Sequence, residues 1–175
     1  MVRILGIDPG SRKTGFGIID VKGNRSHYVT SGLIRLTDKP LALRLKVIYE
    51  SISLLINQHQ PDVMAIEEVF LAKDPRAALK LGQARGAAMV AGVVGELDVS
   101  EYSARAVKKS VVGSGAATKS QVQHMVMRLL SLPAEPAEDA ADALAVALCH
   151  GQVLATVKHF KDPVRFTRGR LKTVP

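Results

Sequence analysis

Apolar residues recur first at strand spacing and then at helical spacing along this chain. Val2 to Asp8 is an apolar strand that ends on a carboxylate, and Pro9-Gly10-Ser11 supplies turn chemistry. Thr14 to Val21, in which Gly15 and Gly17 alternate with Phe16 and Ile18, reads as a second strand. Lys22-Gly23-Asn24-Arg25 is a turn, and Ser26 to Leu36 reads as a third strand. Turns this short predict an antiparallel meander. Leu41, Leu45, Ile48, Ile52 and Leu55 then follow at three- and four-residue steps, which predicts an amphipathic helix from Pro40 to Gln58, stopped by Pro61. Asp62 to Glu67 is a short buried strand that again ends on a carboxylate. A helix followed by such a strand usually returns it parallel to a neighbour. Pro75 to Glu96 is helical, rich in alanine and interrupted by Gly82, Gly86 and Gly92. Val99 to Ser103 is the fifth strand. Helices over Arg105–Val112 and Ser120–Ser131 flank a Gly113-Ser114-Gly115 loop, and a last helix runs from Glu138 to about Thr156. The pattern predicts an α/β fold, a mixed five-stranded sheet covered by helices, with no repeat and no second-domain boundary.

Composition narrows the class. The 175 residues are 47% hydrophobic, enough for one domain with a real core. No apolar run reads as a membrane span, and the N-terminus lacks the pattern of a signal peptide. The single cysteine, Cys149, excludes an internal disulfide and a Cys-rich zinc site, and is expected to be a core thiol in a reducing cytoplasm. The net charge of +8 favours an anionic partner. Part of the excess lies from Lys158 onward, with six basic residues and one acid. Residues 1–157 are therefore expected to form the domain, and 158–175 a basic, mobile tail.

The chemistry lies in acids at element ends. Asp8 and Glu67 each close an apolar strand. If those strands are parallel neighbours, both carboxylates emerge at one sheet edge, where sites form in such sheets. The last helix opens Glu138-Asp139-Ala140-Ala141-Asp142. Asp139 and Asp142 share a face at spacing three, and Glu138 and Asp142 at spacing four, so spacing does not choose between the pairs. Acids in a first helical turn also have an ordinary explanation in the helix dipole and capping. Hard oxygen ligands suit Mg²⁺ or Mn²⁺. Two such ions, about 3.5–4 Å apart, can clamp an in-line phosphoryl displacement.

Four stretches carry a resemblance. They are Ile4-Leu5-Gly6-Ile7-Asp8-Pro9-Gly10-Ser11, Ala65-Ile66-Glu67-Glu68-Val69-Phe70, Ala78 to Gly86, and Asp139-Ala140-Ala141-Asp142-Ala143-Leu144-Ala145. In these, over roughly residues 2–157, the chain resembles the RuvC family of bacterial Holliday junction resolvases. The resemblance implies an RNase H-like fold and a homodimer. It implies Mg²⁺-dependent, paired nicking of a four-way DNA junction that leaves 5′-phosphate and 3′-hydroxyl ends, in recombination and repair. It places the four catalytic, metal-holding acids at Asp8, Glu67, Asp139 and Asp142, so that Glu138 becomes a neighbour. It also implies the RuvA–RuvB branch-migration complex as partner.

Other residues join the expected DNA surface. Phe70 stands three positions after Glu67; its ordinary role is core packing, and the resemblance makes it a stacking platform for an unpaired base. Arg76 and Lys80 lie on neighbouring turns of the alanine-rich helix, where such residues are usually solvated. Lys108, Lys109 and Lys119 surround the glycine loop, and the resemblance assigns DNA binding at Lys108 and Lys119. Phosphate contacts of this kind give affinity and salt dependence. Two competing readings remain. Asp8-Pro9-Gly10 with Gly15-Phe16-Gly17 also looks like the phosphate-binding hairpin of actin-like kinases, but those need two such domains. A junction-binding module without catalysis is disfavoured by the presence of all four acids. Within nucleases, the shorter YqgF-like group begins similarly but does not match the Phe70 and Leu81–Gly86 segments.

Overall fold

The computed structural model describes residues 1–36, 39–68 and 74–157, together with the backbone of 164–167 and 170–173. The strands are β1 (Val2–Asp8), β2 (Lys13–Lys22), β3 (Arg25–Arg35), β4 (Val63–Glu68) and β5 (Asp98–Ser103). The helices are α1 (Leu41–His59), α2 (Pro75–Val94), α3 (Ala104–Val112), α4 (Lys119–Leu129) and α5 (Glu138–Val157). The five strands form one sheet in the order β3-β2-β1-β4-β5. β1, β2 and β3 pair antiparallel, while β4 runs parallel to both β1 and β5. The expected mixed sheet is therefore present, antiparallel on one side and parallel on the other.

Strand alternation sorts the core into two layers. Leu5, Ile7, Ile18, Met64 and Ile66 face α1 and α2, packing with Ile48, Ile52, Ala84 and Ala88. Ile4, Ile19, Val21 and Ala65 face the other way, into a cluster with Leu144 to Cys149 of α5 and with Val107, Val111, Val122 and Val126 of α3 and α4. Ile18 pairs with Thr30 and Ile19 with Tyr28, so Val29 is an extra residue in β3 at that point.

α5 is the central helix. It is long and apolar enough to span a membrane by length and composition, yet every residue from Ala143 to Gly151 is buried inside the fold. Its alanines bring it unusually close to the sheet. A Cβ on Gly6 would lie 2.2 Å from the Ala143 carbonyl oxygen, and one on Gly15 would lie 2.0 Å from that of Asp139. Only glycine fits either position. Near the other end of α5, His150 Nδ1 pairs with the Tyr102 hydroxyl at 2.8 Å, which ties the helix to β5. Burial pushes the His150 imidazole down to about 4, so it is neutral at neutral pH.

α2 agrees with the sequence reading, and the segment beyond α5 departs from it. α2 runs unbroken through Gly82, Gly86 and Gly92. Gly92 is where the helix meets the sheet, since a Cβ there would lie 2.6 Å from Met64 Sδ, whereas Gly82 and Gly86 look into open space. Beyond α5, where no element was expected, β6 (Val164–Thr167) and β7 (Arg170–Thr173) pair as an antiparallel hairpin with Arg165 opposite Lys172.

Candidate active site

Register decides which side chains meet. β1 and β4 pair in parallel with Ile7 beside Ile66, so Asp8 and Glu67 occupy the next step on neighbouring strands. Alternation then points both carboxylates to the α5 side, in line with Gly6 and Ala65. The turn after Asp8 is closed by Thr14, fully buried, whose Oγ1 donates to the Gly10 carbonyl at 3.3 Å. On the other flank Asp8 pairs with Gly15 of β2, the glycine that lets the start of α5 settle on the sheet. The first turn of α5 therefore lies over Gly15 of β2, beside the strand carrying the first acid. Its Asp139 and Asp142 side chains are only 15% and 19% exposed, against 47% for Glu138.

The electrostatics record this convergence. Burial first, then the charges of Glu67, Asp142 and Asp139, push the Asp8 carboxyl up to about 8. Burial and Asp142 push Glu67 up to about 7. Burial also raises Asp142, opposed by Lys119. Desolvated carboxylates near one another resist ionising together unless a cation compensates them. Two lysines supply part of that compensation. Lys119, at the start of α4, bonds Glu138 and lies 3.6 Å from Asp142. Lys13, at the start of β2, bonds Asp139. Lys108 of α3 is close enough to Glu67 to favour its ionised form.

Among the described residues, no three acid, histidine or cysteine side chains are already drawn together around a common ion position. Lys13 and Lys119 instead stand against Asp139 and Asp142. The donor set still fits a hard divalent cation: four carboxylates from three elements, two of them buried enough to need charge compensation, and no soft ligand.

The remaining expected residues fall in different places. Lys109 is exposed on α3, one step from Lys108. Arg76 and Lys80 are exposed on α2, across the sheet from α5. The Asp74 side chain caps α2 by accepting from the Arg76 backbone N–H at 2.9 Å. Phe70 lies outside the described residues. Arg85 bonds Glu101 at the β5 edge. Cys149 is a buried free thiol. Sequence reasoning passed over Lys13. The available signal was its place two residues before Gly15, hence on the same face of β2. A cleft of about 310 Å³ bounded by Val21, Gly23, Ser26, Gly151 and Gln152 lies toward the far end of α5, away from the acids.

A mixed sheet in this order, with a central helix bringing acids over β1 and β4, defines an RNase H-like, metal-dependent nuclease. The family model "Crossover junction endodeoxyribonuclease RuvC" matches residues 4–150. The chain belongs to the RuvC family. It is 57% identical over 173 residues to the crossover junction endodeoxyribonuclease RuvC of Tolumonas auensis, covering 98% of this chain and all of that one. It is 56% identical to the RuvC of Pseudoalteromonas atlantica over 173 residues, with the same coverage. The structure of Thermus thermophilus RuvC in complex with a Holliday junction substrate superposes with a TM-score of 0.84 at 30% identity, covering 89% of this chain and 96% of that one.

Proposed function

We propose that this chain resolves Holliday junctions by paired, symmetric nicks, hydrolysing phosphodiesters with Mg²⁺ and leaving 5′-phosphate and 3′-hydroxyl ends, in recombination and DNA repair. The observation that carries the reading is the convergence of Asp8, Glu67, Asp139 and Asp142 at one sheet edge, on a fold shared with a RuvC solved on a junction. In this reading the four acids hold two Mg²⁺ ions, with Mn²⁺ as a substitute. When bound, the metal supplies an activated water and a charge for the leaving oxygen. The chain's own residues position and compensate. Asp8 and Glu67 are fixed by strand register, and Asp139 and Asp142 by the close seat of α5 on Gly15. Lys108 and Lys119, next to the acids, are assigned to phosphate contact at the cut strand. Lys109 extends that basic surface, Arg76 and Lys80 are assigned to a separate DNA contact from α2 on the other side of the sheet, and Phe70 stacks on an unpaired base at the junction centre.

The same reading makes the active species a homodimer. α2 supports it: Leu79, Val90, Val93 and Val94 are 53–68% exposed and share a face with Gly82 and Gly86. An apolar helix face with glycines in open space suits packing against a second copy. Residues 1–157 are assigned to the nuclease domain and 158–175 to a basic tail. The RuvA–RuvB complex is assigned as partner, in the bacterial cytoplasm. The test is cleavage of a mobile junction, a fixed junction and a linear duplex, each with Mg²⁺ or EDTA. Paired nicks in junctions, abolished by EDTA, are expected. Equal cutting of the linear duplex overturns the reading.

A further inference from the structure

The ammonium on Asp139 has no role in the function described above. Lys13 begins β2, and alternation puts it on the same face as Gly15, whose missing Cβ admits the Asp139 backbone. The root of Lys13 is thus anchored one strand step from the first turn of α5. The turn that delivers it is tight: a Cβ on Gly10 would lie 2.0 Å from the Lys13 carbonyl oxygen. The Lys13 side chain is 53% exposed, while the Asp139 side chain it bonds is 15% exposed. One partner is therefore free to swing into solvent and the other is not. Lys119 differs, because it divides its charge between the exposed Glu138 and Asp142.

We propose that Lys13 is a tethered competitor for the metal: it occupies the Asp139 carboxylate in the metal-free protein and must leave when a divalent cation binds. This rests on the reading of Asp139 as a metal ligand. Lys13 is then a positioning residue that acts through Asp139. It keeps the acid oriented while no metal is present, and it lowers the site's affinity for metal in the absence of DNA. An exposed ion pair is weak, so the competition is modest and screened by salt.

The test is Mn²⁺ binding to the DNA-free protein at low ionic strength, followed by calorimetry and by the electron paramagnetic resonance of free Mn²⁺. Lys13→Met is expected to bind Mn²⁺ about two- to fivefold more tightly than the parent chain. Lys13→Arg, which keeps the charge, is expected to bind like the parent. Arg35→Met is the control: Arg35 stands opposite Lys13 in register, so it removes the same charge from the same sheet edge. The gain on Lys13→Met is expected to exceed the control and to shrink at high salt. Asp139→Asn separates the two levels of the argument. If it leaves Mn²⁺ binding unchanged, the carboxylate-site reading itself fails. If it weakens binding while Lys13→Met leaves binding unchanged, or matches Arg35→Met, the competitor role alone is overturned.

Discussion

Asp8 and Glu67 are held where burial and like charge both keep protons on them, at about 8 and about 7. Both values are raised above those of the unfolded chain, so their contribution to stability is present below about pH 4 and is lost as pH rises toward 8. A divalent cation reverses the loss by replacing the protons. Saturating Mg²⁺ is therefore expected to raise the melting temperature at pH 8 by about 2–4 °C, and by less at pH 5.5. An equal rise at both pH values would separate the metal from these acids. Asp8→Asn is expected to cut junction cleavage by about 10²–10³-fold while binding persists; normal cutting would remove Asp8 from the chemistry. Lys119→Ala should weaken junction binding and reduce the logarithmic salt slope by about 1, and an unchanged slope would place Lys119 off the phosphates. At this scale the sequence was readable for acids near strand ends, because the apolar run before them sets where the strand finishes, although β4 continues one residue past Glu67 to Glu68. It was not readable for the partners of those acids. The spacing of Lys13 from Gly15 gives its face of β2 but not its reach to α5, since that contact depends on how closely the helix sits.

That closeness belongs to the elements. Gly6 and Gly15 look like interruptions in apolar strands, yet their missing side chains let α5 descend until its carbonyls touch the sheet. Gly15→Ala would press a methyl group against the Asp139 carbonyl, and backbone yields less readily than a flexible side chain. A destabilisation of about 1–3 kcal/mol is expected, together with a loss of cleavage larger than the stability loss explains, because the carbonyl displaced belongs to Asp139. Cleavage that merely tracks the folded fraction would show that the helix start adapts. The strand and helix spans, the antiparallel meander and the parallel β1–β4 pair were all legible, since apolar periodicity and turn length determine them. α2 was legible as well, because its alanines and their packing at Ala84, Ala88 and Ala91 outweigh the propensity cost of its glycines. The β6–β7 hairpin was masked by its charge, since alternating basic residues read as a solvated tail.

For the whole molecule, the exposed face of α2 is the surface most in need of an explanation. Val90→Glu or Val93→Glu is expected to shift the sedimenting species from dimer to monomer and to suppress paired nicking, while the melting curve of the chain changes little. A variant that stays dimeric would exclude this face. The parallel register of β1 and β4 has a different consequence, one for how the protein comes into being. Side chains alternate along a strand, so a slip of one residue between the two strands would turn the second acid away from the first. A chain collapsed in the wrong register could be compact and still lack any cutting centre. Because the acids are contributed by the first strand, the fourth strand and the last core helix, none of them gains its partners until nearly the whole chain has been made and folded. A DNA-cutting enzyme built this way acquires its acid cluster only when its last core helix has been made and seated.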